Sequence, residues 1–334
     1  VELAAKLSDY LSEQVGRTVT VNALTRISDG WESDVYAFDA PEWRTGGHVL
    51  RLYFGANAGA TALQEYRSLD LLKRADYPVP QVDLVEPSLQ PLGRSFLMME
   101  RVEGGSLGKL WRSPDEAVRQ REMVRFCELF AQLHTLAWRH LPGAEHVPSV
   151  SITQQLDFWN GFVANLPSDS FKQAMAWLYK GGARVTEQPL GLAHWDFHHE
   201  NILVGADGRA WVIDWTQFQA TDIRFDVAWT LMLLASERDL ATAEAVRAGY
   251  YAQRGWDAAA VEEEMRFFEA AAAAKRLVSV VISLSSGADT VGMRPGAEAI
   301  MSRRLSRFAI VYKRWLELTA TPLPGVETLL AAHL

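Results

Sequence analysis

The chain has 334 residues, 49% hydrophobic and 22% charged, an ordinary balance for a folded protein with room for one large domain or two lobes. Its formal charge of −8 argues against a general nucleic-acid binder, because phosphate-backbone affinity comes from clustered Lys and Arg. That charge weakly favours a cationic small molecule, although mild acidity is common in proteins of this size.

The opening VELAAKLSDYLSEQVG reads as an amphipathic helix with neither a basic leader nor an apolar signal core. No run reaches the roughly 18 apolar residues of a membrane span. A cytoplasmic location without membrane contact is therefore expected, and the lone Cys127 fits a reducing compartment. VTVNALTRISDGWESDVYAFDA gives β-rich runs broken at Ser28-Asp29-Gly30, and GGHVLRLYFG is a strand framed by glycines. TALQEYRSLDLLKRA carries one apolar stripe at helical spacing and is closed by Pro78 and Pro80. QVDLVEP and RSFLMME then pair around a turn at Pro87 to Gly93, completing a small sheet crossed by one helix.

From Arg101 the character changes, and RVEGGSLGKL is a glycine-bearing connector. The lobe boundary is placed there, with residues 1–100 as a β-rich N-lobe and 101–334 as a larger helical C-lobe. Ser113-Pro114-Asp115-Glu116 opens a helix with Ser113 at the cap, and Val118, Met123, Phe126, Phe130, Leu133 and Ala137 lie along one side. A further helix covers residues 168–179 and closes at Gly181-Gly182. Beyond residue 220 come more helices, among them AAAVEEEMRFFEAAAAAKRLVSVVISL and AEAIMSRRLSRFAIVYKRWLELT. The glutamates of VEEEM read as a solvated face, His134 as a satisfied helix histidine, and most of the twelve Trp as core.

NILVGADGRAWVIDW interrupts this helical lobe as a hairpin with its turn at Asp207-Gly208. GLAHWDFHHENILV runs into its first strand, and Asp214 ends its second. A tight hairpin brings its outer ends together, so Asp196, Asn201 and Asp214 are expected to converge. Convergent oxygens suit Mg²⁺. Asp214 would chelate it, Asn201 would add a carbonyl oxygen, and Asp196 would stay free to take a proton from a hydroxyl attacking a γ-phosphate. His194, Asp196, His198 and His199 also permit a metallohydrolase with a zinc-like ion, a chemistry that needs neither Asn201 nor the hairpin.

HWDFHHEN fits the catalytic-loop pattern His-x-Asp-x-x-x-x-Asn, and VIDW stands where protein kinases carry Asp-Phe-Gly. With its form His-x-Asp-x-His-x-x-Asn and its Asp-Trp ending, the chain resembles the aminoglycoside phosphotransferase and choline kinase group, the small-molecule branch of the protein-kinase-like fold. The resemblance implies a bilobal α+β fold and Mg²⁺-dependent transfer of the γ-phosphoryl group of ATP or GTP to a small hydroxylated substrate. It implies Asp196 as catalytic base, Asn201 and Asp214 as metal ligands, His194 as a brace, and Asp226 of DIRFDVAW as acceptor for the loop backbone.

Several positions depart from that pattern. Arg51 replaces the strand Lys that touches the nucleotide phosphates, with Glu65 as its helix partner, and a simple surface ion pair is the alternative. ISDGWESDVY supplies one glycine, Gly30, with Ser28 and Ser33 as hydroxyl donors, where protein kinases have three glycines. Trp195 stands where the group usually has Gly. LMMERVEGG is the connector whose backbone at Glu100 and Val102 would meet the purine. No Ala-Pro-Glu segment follows Asp214, so a protein substrate is not expected. Neither the acceptor nor the oligomeric state is written in the sequence, and a catalytically silent nucleotide-binding protein is the alternative these departures leave open.

Overall fold

A computed structural model describes residues 2–29, 33–164, 169–287, 296–331 and 333. The architecture is bilobal α+β. Helix α1 (Glu2–Val15) leads into strands β1 (Asn22–Asp29), β2 (Ser33–Asp39) and β3 (Gly47–Tyr53); α2 (Ala58–Arg74) follows, then β4 (Val82–Glu86) and β5 (Phe96–Glu100). The five strands form an antiparallel sheet in the order β1-β2-β3-β5-β4.

Strand alternation sorts the side chains of this sheet onto two faces. Leu50 and Leu52 of β3 join Phe96 and Met98 of β5 in a core covered by Leu7, Tyr10 and Leu11 of α1. The intervening residues Tyr53, Leu97 and Met99 join the larger core with Leu69 and Leu72 of α2. Arg51, between Leu50 and Leu52, is thereby turned to the α2 side. Among the contacts that fasten this lobe to the next, the Tyr77 hydroxyl donates to the Leu129 carbonyl at 3.0 Å, and the Val212 N–H donates to the Pro78 carbonyl at 2.8 Å.

After β5 come β6 (Gly104–Ser106), α3 (Leu107–Leu110), α4 (Glu116–Thr135), α5 (Ile152–Val163) and α6 (Ser170–Gly182). Next come β7 (Gly191–Ala193), β8 (Ile202–Gly205), β9 (Ala210–Val212) and β10 (Gln219–Thr221). The chain ends in α7 (Arg224–Glu237), α8 (Leu240–Arg254), α9 (Ala258–Ser286), α10 (Ala297–Ser302), α11 (Leu305–Thr319) and α12 (Pro324–Leu330). Helix α9 is central. Its run Ala270 to Ala274 is buried, and these small side chains let α7 and α11 pack closely against it. Among the described residues no helix is long and apolar enough to cross a membrane.

The structure revises the sequence reading in four places. Helix α4 is capped by Asp115, whose carboxylate accepts from the Ala117 N–H at 2.9 Å, while the Ser113 hydroxyl accepts from the Asp115 N–H. Ala137 lies beyond its end and is exposed. The segment expected as one helix over 297–319 breaks at Arg303-Arg304, where turn hydrogen bonds separate α10 from α11. Helix α5 was not anticipated, although Ser151 and Gln154 form a capping box at its start. The connector after Arg101 is itself a strand, β6, which pairs with β8 and makes the hairpin a three-stranded sheet.

That third strand depends on Gly104, because a Cβ there would stand 2.5 Å from the Val204 carbonyl oxygen of β8. Backbone cannot yield as a flexible side chain can. Gly104→Ala is expected to cost about 1–3 kcal/mol, the usual range for overpacking, and to lower the midpoint of urea unfolding. An unchanged midpoint would refute this reading of the β6–β8 contact.

Candidate active site

The hairpin does bring its outer ends together. Ile202 pairs with Val212, and beyond that pair the Ile213 N–H donates to the Asn201 carbonyl at 3.0 Å. Asp214 therefore emerges beside Asn201, with a positive φ of 70°. The Asn201 amide donates to the Asp196 carbonyl at 3.0 Å and to Asp196 Oδ2 at 3.1 Å. Asp196, Asn201 and Asp214 all line one cavity of about 1190 Å³ between the lobes.

Their free oxygens fit an oxygen-preferring cation. The amide nitrogen of Asn201 is committed, and its Oδ1 accepts no hydrogen bond among the described residues. On Asp214, Oδ1 accepts from Arg51 at 2.8 Å, and Oδ2 accepts none among the described residues. One amide oxygen and one carboxylate oxygen facing a shared cavity are a donor set that suits Mg²⁺. Among the described residues no three His, Cys, Asp or Glu side chains are grouped to hold a metal, which removes the support for a zinc cluster at His194 to His199.

The loop carrying Asp196 is held from behind. Asp226 accepts from the N–H groups of His194 at 2.7 Å and Trp195 at 2.8 Å, and from His134 Nε2 at 3.2 Å. His134 in turn meets the Tyr250 hydroxyl at 2.6 Å, as befits a satisfied core histidine. The His194 ring accepts from the Asp196 N–H through Nδ1 and meets the Ile213 carbonyl through Nε2 at 3.0 Å, so it ties the loop to the residue before Asp214. Burial lowers the His194 pKa, and a neutral ring with its proton on Nε2 satisfies both contacts. Trp195 sits at φ 64°, in the left-handed region that glycine adopts most freely.

Burial alone would raise the Asp196 pKa. The neighbouring His198, 3.4 Å from Oδ2, together with His194 and Arg276, holds this carboxyl well below the usual range instead. These neighbours favour the ionised, hydrogen-bond-accepting form of Asp196. His199 stacks on Trp111 at 5.2 Å and also lines the cavity.

Arg51 is the hub of the N-lobe side. Its Nη1 donates to Glu65 at 2.7 Å, Nη2 to Asp214 at 2.8 Å, and Nε to the Ser33 hydroxyl at 2.8 Å. Arg51, Glu65 and Ser33 are all buried, so the pair is not a surface ion pair. Burial would lower the Arg51 pKa, but Asp214 and Glu65 raise it well above its ordinary value. Glu65 also accepts from the Tyr53 hydroxyl and, at 3.2 Å, from the Trp215 N–H.

The remaining expectations fare differently. Gly30 lies outside the described residues. Ser33 braces Arg51 and does not line the cavity. Neither Glu100 nor Val102 lines it; the Glu100 N–H donates to the Gln81 carbonyl, and Glu100 borders a separate depression with Arg44 and His48. Sequence reasoning missed the far wall, where Phe158 and Phe162 of α5 face Lys275 and Arg276 of α9 and Arg307 of α11.

A family model described as the phosphotransferase enzyme family matches residues 23–283, most of the chain, including Arg51, Glu65, Asp196, Asn201, Asp214 and Asp226. The chain belongs to this family. Solved structures share its fold. A protein of Ralstonia eutropha JMP134, provisionally named an aminoglycoside phosphotransferase, is 16% identical with a TM-score of 0.67, over 95% of this chain and 98% of that one. A thermostable mutant of aminoglycoside phosphotransferase APH(4)-Ia, in ternary complex with AMP-PNP and hygromycin B, is 17% identical with a TM-score of 0.60, over 92% and 98%. The GDP and kanamycin complex of APH(2")-IIia is 15% identical with a TM-score of 0.60, over 89% and 97%. No curated protein matches by sequence.

Asp226 is the deepest support of the phosphotransferase loop. Asp226→Asn leaves one oxygen for three donors and turns an N–H toward another N–H. A loss of about 1.5–3 kcal/mol is expected, the worth of a hydrogen bond to a charged group, and denaturant unfolding measures it. Stability equal to that of the unaltered protein would show that Asp226 does not hold the loop.

Proposed function

We propose that the protein transfers the γ-phosphoryl group of ATP or GTP to a hydroxyl group of a small molecule. The observation that carries this reading is the cavity that Asp196 shares with two oxygens uncommitted among the described residues, Asn201 Oδ1 and Asp214 Oδ2. The relatives seen with AMP-PNP, GDP, hygromycin B and kanamycin support a nucleotide donor and a small hydroxylated acceptor. With the lobe boundary placed at residues 100/101, the nucleotide would sit beneath the N-lobe sheet and the acceptor against the helical lobe.

Asn201 and Asp214 would hold Mg²⁺, which when bound neutralises charge on the transferring phosphate oxygens. Arg51, fixed by Glu65 and Ser33, presents its guanidinium beside Asp214 on the phosphate side. Asp196 Oδ1 accepts no hydrogen bond among the described residues and would receive the acceptor's proton. The acceptor O–H bond breaks toward Asp196, an O–P bond forms, and the bond from the γ-phosphorus to the bridging oxygen breaks, its electron pair leaving with the nucleoside diphosphate. A carboxylate with a low pKa is a weak base in the ground state. That suits a loose transition state, in which the proton moves late. His194 and Asp226 act through the loop by fixing where Asp196 points.

The silent-scaffold alternative is disfavoured by Arg51, whose three committed donors reach the family's charge position with a different side chain. Asp196→Asn is expected to lower phosphotransfer by about 10²- to 10⁴-fold while nucleotide still binds. Asp214→Ala is expected to weaken Mg-nucleotide binding, read by calorimetry with and without the metal. Full turnover in both variants, measured with ATP and GTP against a panel of hydroxylated acceptors, would overturn the assignment.

A further inference from the structure

The acceptor side of the cavity is basic, in a chain whose formal charge is −8. Helix α9 turns Lys275 and Arg276 toward it, and the break between α10 and α11 directs Arg304 and Arg307 to the same wall. Among the described residues, the helices around these four cations give the cavity one acid, Glu237, which is ion-paired with Arg307 and lies 4.0 Å from Arg304.

Arg276 is the informative member. It is half-buried, its guanidinium lies 5.1 Å from the centre of the Phe308 ring, and it makes no hydrogen bond or ion pair among the described residues. Burial lowers its pKa, Asp196 opposes that, and Arg304 adds to it, so the group feels the proposed catalytic base yet forms no ion pair among the described residues. A half-buried cation without a counter-ion is costly unless a ligand supplies one.

A cationic acceptor is disfavoured by a second observation. Two indole faces able to hold an alkylammonium are already used by the protein, since the Lys275 ammonium lies 3.8 Å from the centre of the Trp229 ring and 4.4 Å from that of Trp195. Trp195, the residue standing where the group usually has Gly, thus helps to seat a cation in the acceptor site.

We propose that the acceptor carries an anionic group, a carboxylate or a phosphate, which Arg276 binds while the acceptor hydroxyl faces Asp196. The proposal rests on the phosphotransfer reading for the identity of the ligand as acceptor, and it reverses the weak preference for cations that net charge suggests. Arg276 belongs to the helical lobe beyond Asp196, whereas Arg51 serves the phosphate side from the N-lobe, so the two cations have separate tasks.

The test uses a matched series on the full chain saturated with AMP-PNP and Mg²⁺, so that the nucleotide side is filled. Glycerate and glycerol 3-phosphate are the anionic probes and distinguish carboxylate from phosphate; glycerol is neutral; choline and the polyamine kanamycin are cationic. Calorimetry should show binding of at least one anion and none of the cations. Arg276→Gln should weaken anion binding about tenfold or more, as expected for losing a charged hydrogen bond, while Arg276→Lys keeps most of it. With ATP or GTP in place of the analogue, the anion bound should also be the acceptor phosphorylated, its KM raised in Arg276→Gln. Preference for choline or kanamycin, failure of both anions to bind, or anion affinity unmoved in Arg276→Gln would overturn the proposal. Loss of nucleotide affinity alone in that variant would make Arg276 a nucleotide contact and overturn it as well. Anion binding that depends on Arg276 without phosphoryl transfer from either nucleotide would strike the phosphotransfer reading and leave the anion site standing.

Discussion

Arg51 is a single guanidinium shared by three parts of the molecule: Glu65 on α2, Ser33 on β2, and Asp214 after the hairpin of the other lobe. A planar fork can do this because its donors leave in fixed, divergent directions, whereas an ammonium would have to hold the same partners from one point. The strand decides that Arg51 faces them, since Leu50 and Leu52 on either side bury the opposite face against α1. Two carboxylates around one cation leave the cluster with an excess negative charge at the edge of the cavity. Buried charge of that kind is tolerated where further positive charge can be recruited, and the open Asp214 Oδ2 is where the proposed metal would supply it.

The other half of the site is built on backbone held in unfavourable conformations. Trp195 and Asp214 both have positive φ, which for residues with side chains costs of the order of 1–3 kcal/mol each and persists only where surroundings over-determine it. The surroundings are visible. Asp226 takes the two N–H groups at the start of the loop, the neutral His194 ring bridges to Ile213, and Trp195 stacks on Phe225 at 5.7 Å. Strain in the loop is thus balanced by a buried carboxylate and a packed indole, and the result is an Asp196 whose position is set before any ligand arrives.

Much of this was legible because it is local. The Asp207-Gly208 turn fixes the hairpin, the hairpin fixes the pairing of Ile202 with Val212, and that pairing sets Asn201 beside Asp214. The alternation around Arg51 and the stripe of α2 are equally short-range. What escaped is what depends on distant packing or on competition between near-equivalent signals. Ser113 and Asp115 are both good caps, and only the path of the chain through Pro114 selects Asp115. The break at Arg303-Arg304 has no Gly or Pro to announce it. Helix α5 did carry a signal in Ser151 and Gln154, one that an aromatic-rich stretch made easy to pass over. The strand β6 looked like a connector because of its two glycines, of which Gly104 serves close approach to Val204 and not flexibility.

The far wall of the cavity is the clearest case of information that a linear reading cannot hold. Helix α9 is apolar or alanine on several sides because α5, α6, α7 and α11 all pack on it, so no clean stripe marks which residues face a ligand. Lys275 and Arg276 interrupt an otherwise buried run, and a charged pair inside such a run has to find either a partner or a cavity. Lys275 finds two indoles and Arg276 finds open space beside Asp196. Net charge could not have predicted this, since it averages over a surface on which acids and bases mostly solvate themselves. On this wall of the cavity the charge that α9 places between buried residues is positive.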